Sequence, residues 1–195
     1  AASIETTKFK TDYDGCTQAG VPVRSKTTNI FFRTEFNIGP AINIKEIVLL
    51  IPYTGFAYRY WNRAMGSDPA TGVYGLEEDY YWFYIPLGIK MQVKITDFLV
   101  IGLDFCVRFN FGGRIILYFQ ALNITNPNLD LKLGDKVGYK IELPIDFKFH
   151  KNLGASIIPW YEYSAIGKSE IGKPFIWAGQ LWTFWEPKST THQYG

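Results

Sequence analysis

From Leu99 to Phe111 every second residue is apolar: Leu99, Ile101, Leu103, Phe105, Val107, Phe109 and Phe111. Between them stand Val100, Gly102, Asp104, Cys106, Arg108 and Asn110. Side chains alternate across a strand, so this period predicts a β-strand with one apolar face and one small or polar face. Val137 to Phe149 repeats it. Val137, Tyr139, Ile141, Leu143, Ile145, Phe147 and Phe149 face one way, and Gly138, Lys140, Glu142, Pro144, Asp146 and Lys148 the other. A helix would mix these sets around its circumference.

Noisier alternation marks Thr28–Ile38, Asp79–Gln92 and Leu153–Ala165, while Ile47–Trp61 is apolar on both faces until Arg59. Ser3–Tyr13 alternates weakly, and a last strand is expected from about Thr190. Short links fall at Gly39–Asn43, Val93–Asp97 and His150–Asn152. Long ones fall at about 14–27, 62–78, 112–136 and 167–189. Antiparallel neighbours joined short, long, short, long put the tight turns at one end and the large loops at the other. The expected fold is all-β, an antiparallel up-and-down transmembrane barrel of about eight strands in a single domain spanning 1–195. Ten strands follow if terminal strands lie outside this sequence.

Period two does not say which way the apolar face points. A soluble lipocalin-like carrier would turn it inward. Length favours lipid instead. The best patterns hold for 13 residues, against about five or six in a soluble strand and about nine to eleven in a tilted membrane strand. Turned inward, so many Phe, Tyr, Leu and Ile would overfill a small bore. The inward face is then a polar, salt-bridged network of Arg33, Glu35, Arg59, Lys90, Asp104, Arg108, Lys140, Glu142, Asp146, Lys148 and Glu162. Buried charges persist when paired, so the expected role of this set is to fill the lumen and hold register.

Composition fits this picture. Aromatic residues reach 17%, and the net charge of +2 offers nothing to a nucleic acid. Cys16 and Cys106 match no metal or disulfide spacing, and two isolated thiols are expected. No apolar run approaches a membrane helix. The opening Ala1-Ala2-Ser3-Ile4-Glu5 is not a signal peptide, so an export signal is expected to have been removed or to precede these residues.

Aromatics gather where strands enter the long loops: Tyr58, Tyr60 and Trp61, then Tyr81 and Trp82, then Tyr161 and Tyr163. Such rings form girdles where lipid meets water. With the alternating strands, Thr54-Gly55-Phe56-Ala57-Tyr58-Arg59-Tyr60-Trp61-Asn62 and Trp160-Tyr161-Glu162-Tyr163 resemble small Gram-negative outer-membrane β-barrel proteins of the OmpA, OmpX and NspA architecture. The resemblance covers most of Thr28–Ala165. It implies an outer-membrane location, contact with membrane lipid and lipopolysaccharide, and a structural or surface-interaction role. It departs at the end, where a closing aromatic is usual and this chain stops at Tyr194-Gly195.

Enzymes exist in this architecture, so an outer-rim hydrolase is a further, less favoured reading. Only His150 and His192 are available as bases; His192 neighbours Ser189, Thr190 and Thr191, and Glu77, Glu78 and Asp79 start a strand at the same rim. No convincing constellation results, and no catalytic residue, metal or cofactor is expected. The loop holding Phe175, Trp177, Trp182 and Trp185 is a candidate protein-partner site or a hairpin folding over the mouth. Gly112-Gly113 reads as a bulge or a turn, and Asn123-Ile124-Thr125 matches a glycosylation string without weight in a bacterial chain.

Overall fold

The computed structural model describes residues 1–16, 20–119, 128–150, 152–177 and 180–195, leaving aside the side chains of 15, 16 and 177. The expected string Asn123–Thr125 lies outside these residues. The strands are β1 (Ala2–Cys16), β2 (Pro22–Ile38), β3 (Ile42–Ile44), β4 (Val48–Met65), β5 (Glu77–Lys94), β6 (Leu99–Tyr118), β7 (Leu129–Lys132), β8 (Val137–Glu142), β9 (Ile145–His150), β10 (Leu153–Ile157), β11 (Trp160–Ile166), β12 (Phe175–Trp177), β13 (Gln180–Trp182) and β14 (Ser189–Tyr194). The fold is all-β and antiparallel: a twelve-stranded sheet, curled into a half-barrel, whose main path runs β1-β2-β4-β5-β6-β8-β11-β14, beside a separate two-stranded sheet of β12 and β13. No helix among the described residues is long and apolar enough to cross a membrane.

The curl sorts the faces. Convex positions carry Phe36 (56% exposed), Leu87 (56%), Phe105 (40%) and Ile141 (36%). Concave positions carry Arg59, Asp104, Arg108 and Glu162, each less than 9% exposed. One convex row runs Ala2, Phe36 and Phe56, and continues through Ile85, Phe109 and Val137. On β5 the convex side is unbroken from Tyr81 through Phe83, Ile85, Leu87, Ile89 and Met91 to Val93.

Two expected strands are each broken in two. Val137–Phe149 divides at Leu143-Pro144, and Leu153–Ala165 at Ile158-Pro159. A proline has no N–H for the ladder. The breaks lie side by side, bridged by Leu143 N–H donating to the Pro159 carbonyl at 2.9 Å. Below them β9 pairs with β10 and touches β6 only over Leu99–Ile101.

The expected loops are also shorter than their ranges. β1 and β2 extend into 14–27, β4 and β5 into 62–78, and β6 and β7 into 112–136, while 167–189 holds the β12–β13 hairpin. At Gly112 (φ 62°) β6 takes a conformation that glycine tolerates and other residues resist, and its register with β5 shifts between Tyr81 and Phe83. The bulge reverses the phase. Below it Asp104, Cys106 and Arg108 face the concavity; above it Ile115 and Leu117 do, both fully buried. With Tyr80, Trp82, Phe119, Leu131, Leu133 and Ile166 they form an apolar core at the loop end.

Candidate functional site

The concave surface of β2, β4, β6 and β11 brings four distant residues together. Glu162 accepts from Arg33 Nη1 on Oε2 (3.0 Å) and from Arg59 Nη1 on Oε1 (2.7 Å). Ser164 Oγ adds a donor at 3.2 Å and itself accepts from Arg59 at 3.0 Å. Arg108 Nη1 lies 2.7 Å from Glu162 Oε1 as an ion pair, off the hydrogen-bond direction, and its Nε meets no acceptor among the described residues. Its guanidinium lies over Tyr84, 5.2 Å from the ring centroid. Arg59 lies over Phe31 (5.0 Å) and Trp82 (5.3 Å). These aromatic faces add to the holding of weakly hydrated guanidinium groups out of water.

Two more carboxylates balance the arginines. Glu5 pairs with Arg33, and Glu35 accepts from Tyr84 OH (2.5 Å) and Asn37 Nδ2 (2.7 Å). Three guanidinium groups and three carboxylates make the cluster neutral. Towards the turn end, Lys90 Nζ meets Asp104 Oδ2 (3.1 Å), whose other oxygen accepts from Tyr53 OH (2.7 Å), and Lys140 meets Glu142 at 2.5 Å. Asp146 accepts from Ser156 Oγ at 2.6 Å, and Lys148 is exposed near the turn end.

The aromatic set divides. Tyr58, Tyr60, Tyr81, Tyr161 and Tyr163 lie on the convex side; Tyr60 OH and Tyr118 OH both donate to Asp79 at 2.7 Å. Trp61 and Trp82 do not. Alternation sends them to the concave side, where Trp82 joins the apolar core and Trp61 stacks between Phe31 (5.2 Å) and Tyr80 (4.9 Å). Neighbours such as Tyr60-Trp61 and Tyr81-Trp82 cannot share a face of a regular strand. In the Trp-rich loop, Phe175 and Phe184 pack on the core, with Phe175 5.1 Å from Phe119; Ile176 and Leu181 are exposed, as is Trp182, and Trp185 is partly exposed. The Trp177 side chain lies outside the described residues. His192 Nδ1 is 2.7 Å from Tyr161 OH, and Cys106 is a free, buried thiol.

Sequence reasoning missed the loop-end carboxyl pair. Glu186, on the segment 183–188 between β13 and β14, is buried beside Glu78 and Tyr80. The segment is strapped down: Glu186 N–H donates to Ser169 Oγ (2.7 Å), Ser169 N–H to the Glu186 carbonyl (2.9 Å) and Gly172 N–H to the Phe184 carbonyl (2.8 Å). Burial, then the Glu78 charge, pushes the Glu186 carboxyl up to about 7. An unfolded chain loses this proton near its ordinary value, whereas the folded one keeps it to about 7, so stability falls as pH rises across that window. Glu186→Gln should therefore match the parent below about pH 4.5 and exceed it by on the order of 3 kcal/mol above about pH 7. Urea unfolding of both proteins at pH 4 and pH 8 checks this.

Among the described residues no group of three or more His, Cys, Asp or Glu could hold a metal ion. Comparison of the chain with protein-family models gives no match, and none of the curated proteins matches it.

Proposed function

We propose that this protein is a small transmembrane β-barrel of a Gram-negative outer membrane, of the OmpA, OmpX and NspA architecture, with a structural or surface-interaction role and lipid and lipopolysaccharide as its surroundings. The observation that carries the reading is the sorting of the two faces. A convex side of exposed Phe, Leu and Ile encloses a charge-balanced interior. A soluble carrier of an apolar ligand needs the reverse. The interior charges are paired with one another, which favours a structural network over a charge-selecting conduit.

The geometry of the two unpaired edges supports the same reading. The row beginning at Ala2 continues from Val137 through Ala165 to Thr190 on β14. β1 and β14 are the two ends of the path and run in opposite senses. Two cavities lie between them, one lined by Thr7 and Gln193 and the other by Thr11, Ser189 and again Gln193; the register inferred for closure sets Thr7 against Gln193 and Thr11 against Ser189. Pairing in that register sets Thr190 against Lys10, which returns the row to β1 eight residues above its start. An eight-stranded wall with that offset tilts its strands by about 36°, within the range of known barrels. The convex stretch Tyr81–Val93 then covers about 40 Å of strand and roughly 32 Å of membrane normal, against about 30 Å of hydrocarbon. Open edges are not tolerated in hydrocarbon, so the membrane itself favours the zipped state.

Leu87 stands near the middle of this stretch. Leu87→Arg should weaken folding into lipid vesicles by about 2–4 kcal/mol, whereas Thr28→Arg, beyond the convex apolar stretch, should leave it nearly unchanged. Recovery of the native protein in the membrane fraction, with heat-modifiable gel migration, is the companion result. A protein that stays monodisperse without detergent and tolerates Leu87→Arg would end this reading.

A further inference from the structure

The concave loop end holds a cavity of about 450 Å³ whose wall includes Thr27, Trp61, Arg63, Tyr80 and Glu186. That volume suits a small molecule. Its positive charges are already committed, since Arg59 serves Glu162 and Arg63 lies 3.3 Å from Glu78. Its negative charge is not. Tyr80 stands beside both Glu78 and Glu186, but its single hydroxyl proton goes to Glu78 Oε2 at 3.0 Å. Glu186 is 8% exposed and shares with Glu78 the one guanidinium of Arg63 and the one hydroxyl of Tyr80, two carboxylates to a single cation. A buried carboxylate ordinarily has donors. In the same wall Thr27 is 2% exposed, and its hydroxyl has no hydrogen-bond partner among the described residues.

The wall also carries aromatic rings that already accommodate cations. Arg63 sits 5.5 Å from the Tyr13 ring centroid and 6.0 Å from that of Trp61. A carboxylate beside an apolar aromatic row suits an alkylated ammonium, which sheds water easily. A metal ion would ask for several oxygen ligands, and no group of three His, Cys, Asp or Glu among the described residues could hold one.

We infer that this cavity is a binding site for a small organic ammonium compound bearing a hydroxyl group, with Glu186 as counter-ion, Trp61 and Tyr80 as its aromatic wall and Thr27 as the hydroxyl's partner. The same cavity is walled by Thr11 of β1 and Ser189 of β14, so the assignment shares the seam of the proposed barrel.

The test is calorimetric titration of the purified full chain at pH 8 with choline, and with 3,3-dimethyl-1-butanol, the uncharged molecule of the same shape. Choline should bind and the neutral molecule should bind at least tenfold more weakly. Glu186→Gln should lower choline affinity at least tenfold, and Thr27→Val several-fold, with the β-sheet circular dichroism of each variant unchanged. Equal binding of the two molecules, no heat with choline at millimolar concentration, or equal competition by sodium would overturn the assignment. If Glu186→Gln does not fold, the charged-to-neutral ratio and Thr27→Val decide it.

Discussion

Glu162→Gln should be the most damaging single change in the interior, lowering stability by about 3–5 kcal/mol. The substitution keeps the shape and removes the charge on which Arg33, Arg59 and Arg108 converge. Three guanidinium groups then face one another, with Glu5 and Glu35 alone to offset them. Both Arg59 and Arg108 are more than nine-tenths buried, so water cannot screen the repulsion cheaply. Urea titration of the protein folded in lipid vesicles measures the loss. Arg108→Met on the Glu162→Gln background should recover part of it, because it removes an unpaired buried cation and leaves a side chain of similar length. A loss below about 1 kcal/mol would mean that the cluster is wet and behaves like a surface ion pair.

The second large effect concerns the seam. With Cys16 and Cys106 replaced by Ser, Thr7→Cys with Gln193→Cys should form an intramolecular disulfide nearly quantitatively in membranes. Directly paired strand positions place Cα atoms about 4.5–5.5 Å apart, inside the range a disulfide spans. Thr7→Cys with Ser189→Cys should not link, being four residues out of register at about 3.3 Å each. Non-reducing gels read the outcome, and the linked protein should resist heat-induced mobility shift. Linkage of the mismatched pair alone would assign a different offset and so a different strand tilt. No linkage in either would mean that the edges stay apart.

Much of this architecture was legible in the order of residues. Leu99–Phe111 assigned its own faces, because a two-residue period is a local property of strands. Pro144 was readable as a break but sat within an otherwise perfect alternation, which masked the division of Val137–Phe149. The loop-end core was hidden by the bulge at Gly112: Ile115 and Leu117 keep the alternation but on the opposite phase, and one inserted residue is invisible to a fixed period. The convergence on Glu162 was beyond reach for a different reason. Its partners Arg33 and Arg59 lie 129 and 103 positions away, and only the curl of the sheet makes them neighbours. Trp82 was misassigned because density of rings was weighed above phase. Glu186 sits in a segment without alternation and carried no signal at all.

The side-by-side prolines have a kinetic meaning. Below Pro144 and Pro159 the β9–β10 hairpin is held to the remaining sheet by three residue pairs of β6, against seventeen between β5 and β6. A corner so lightly attached opens at lower free energy than the body of the sheet, as an independent cooperative unit. Its amides should be the first strand protons lost to deuterium. During assembly it would dock last, after the arginine cluster has drawn the distant strands into their curve.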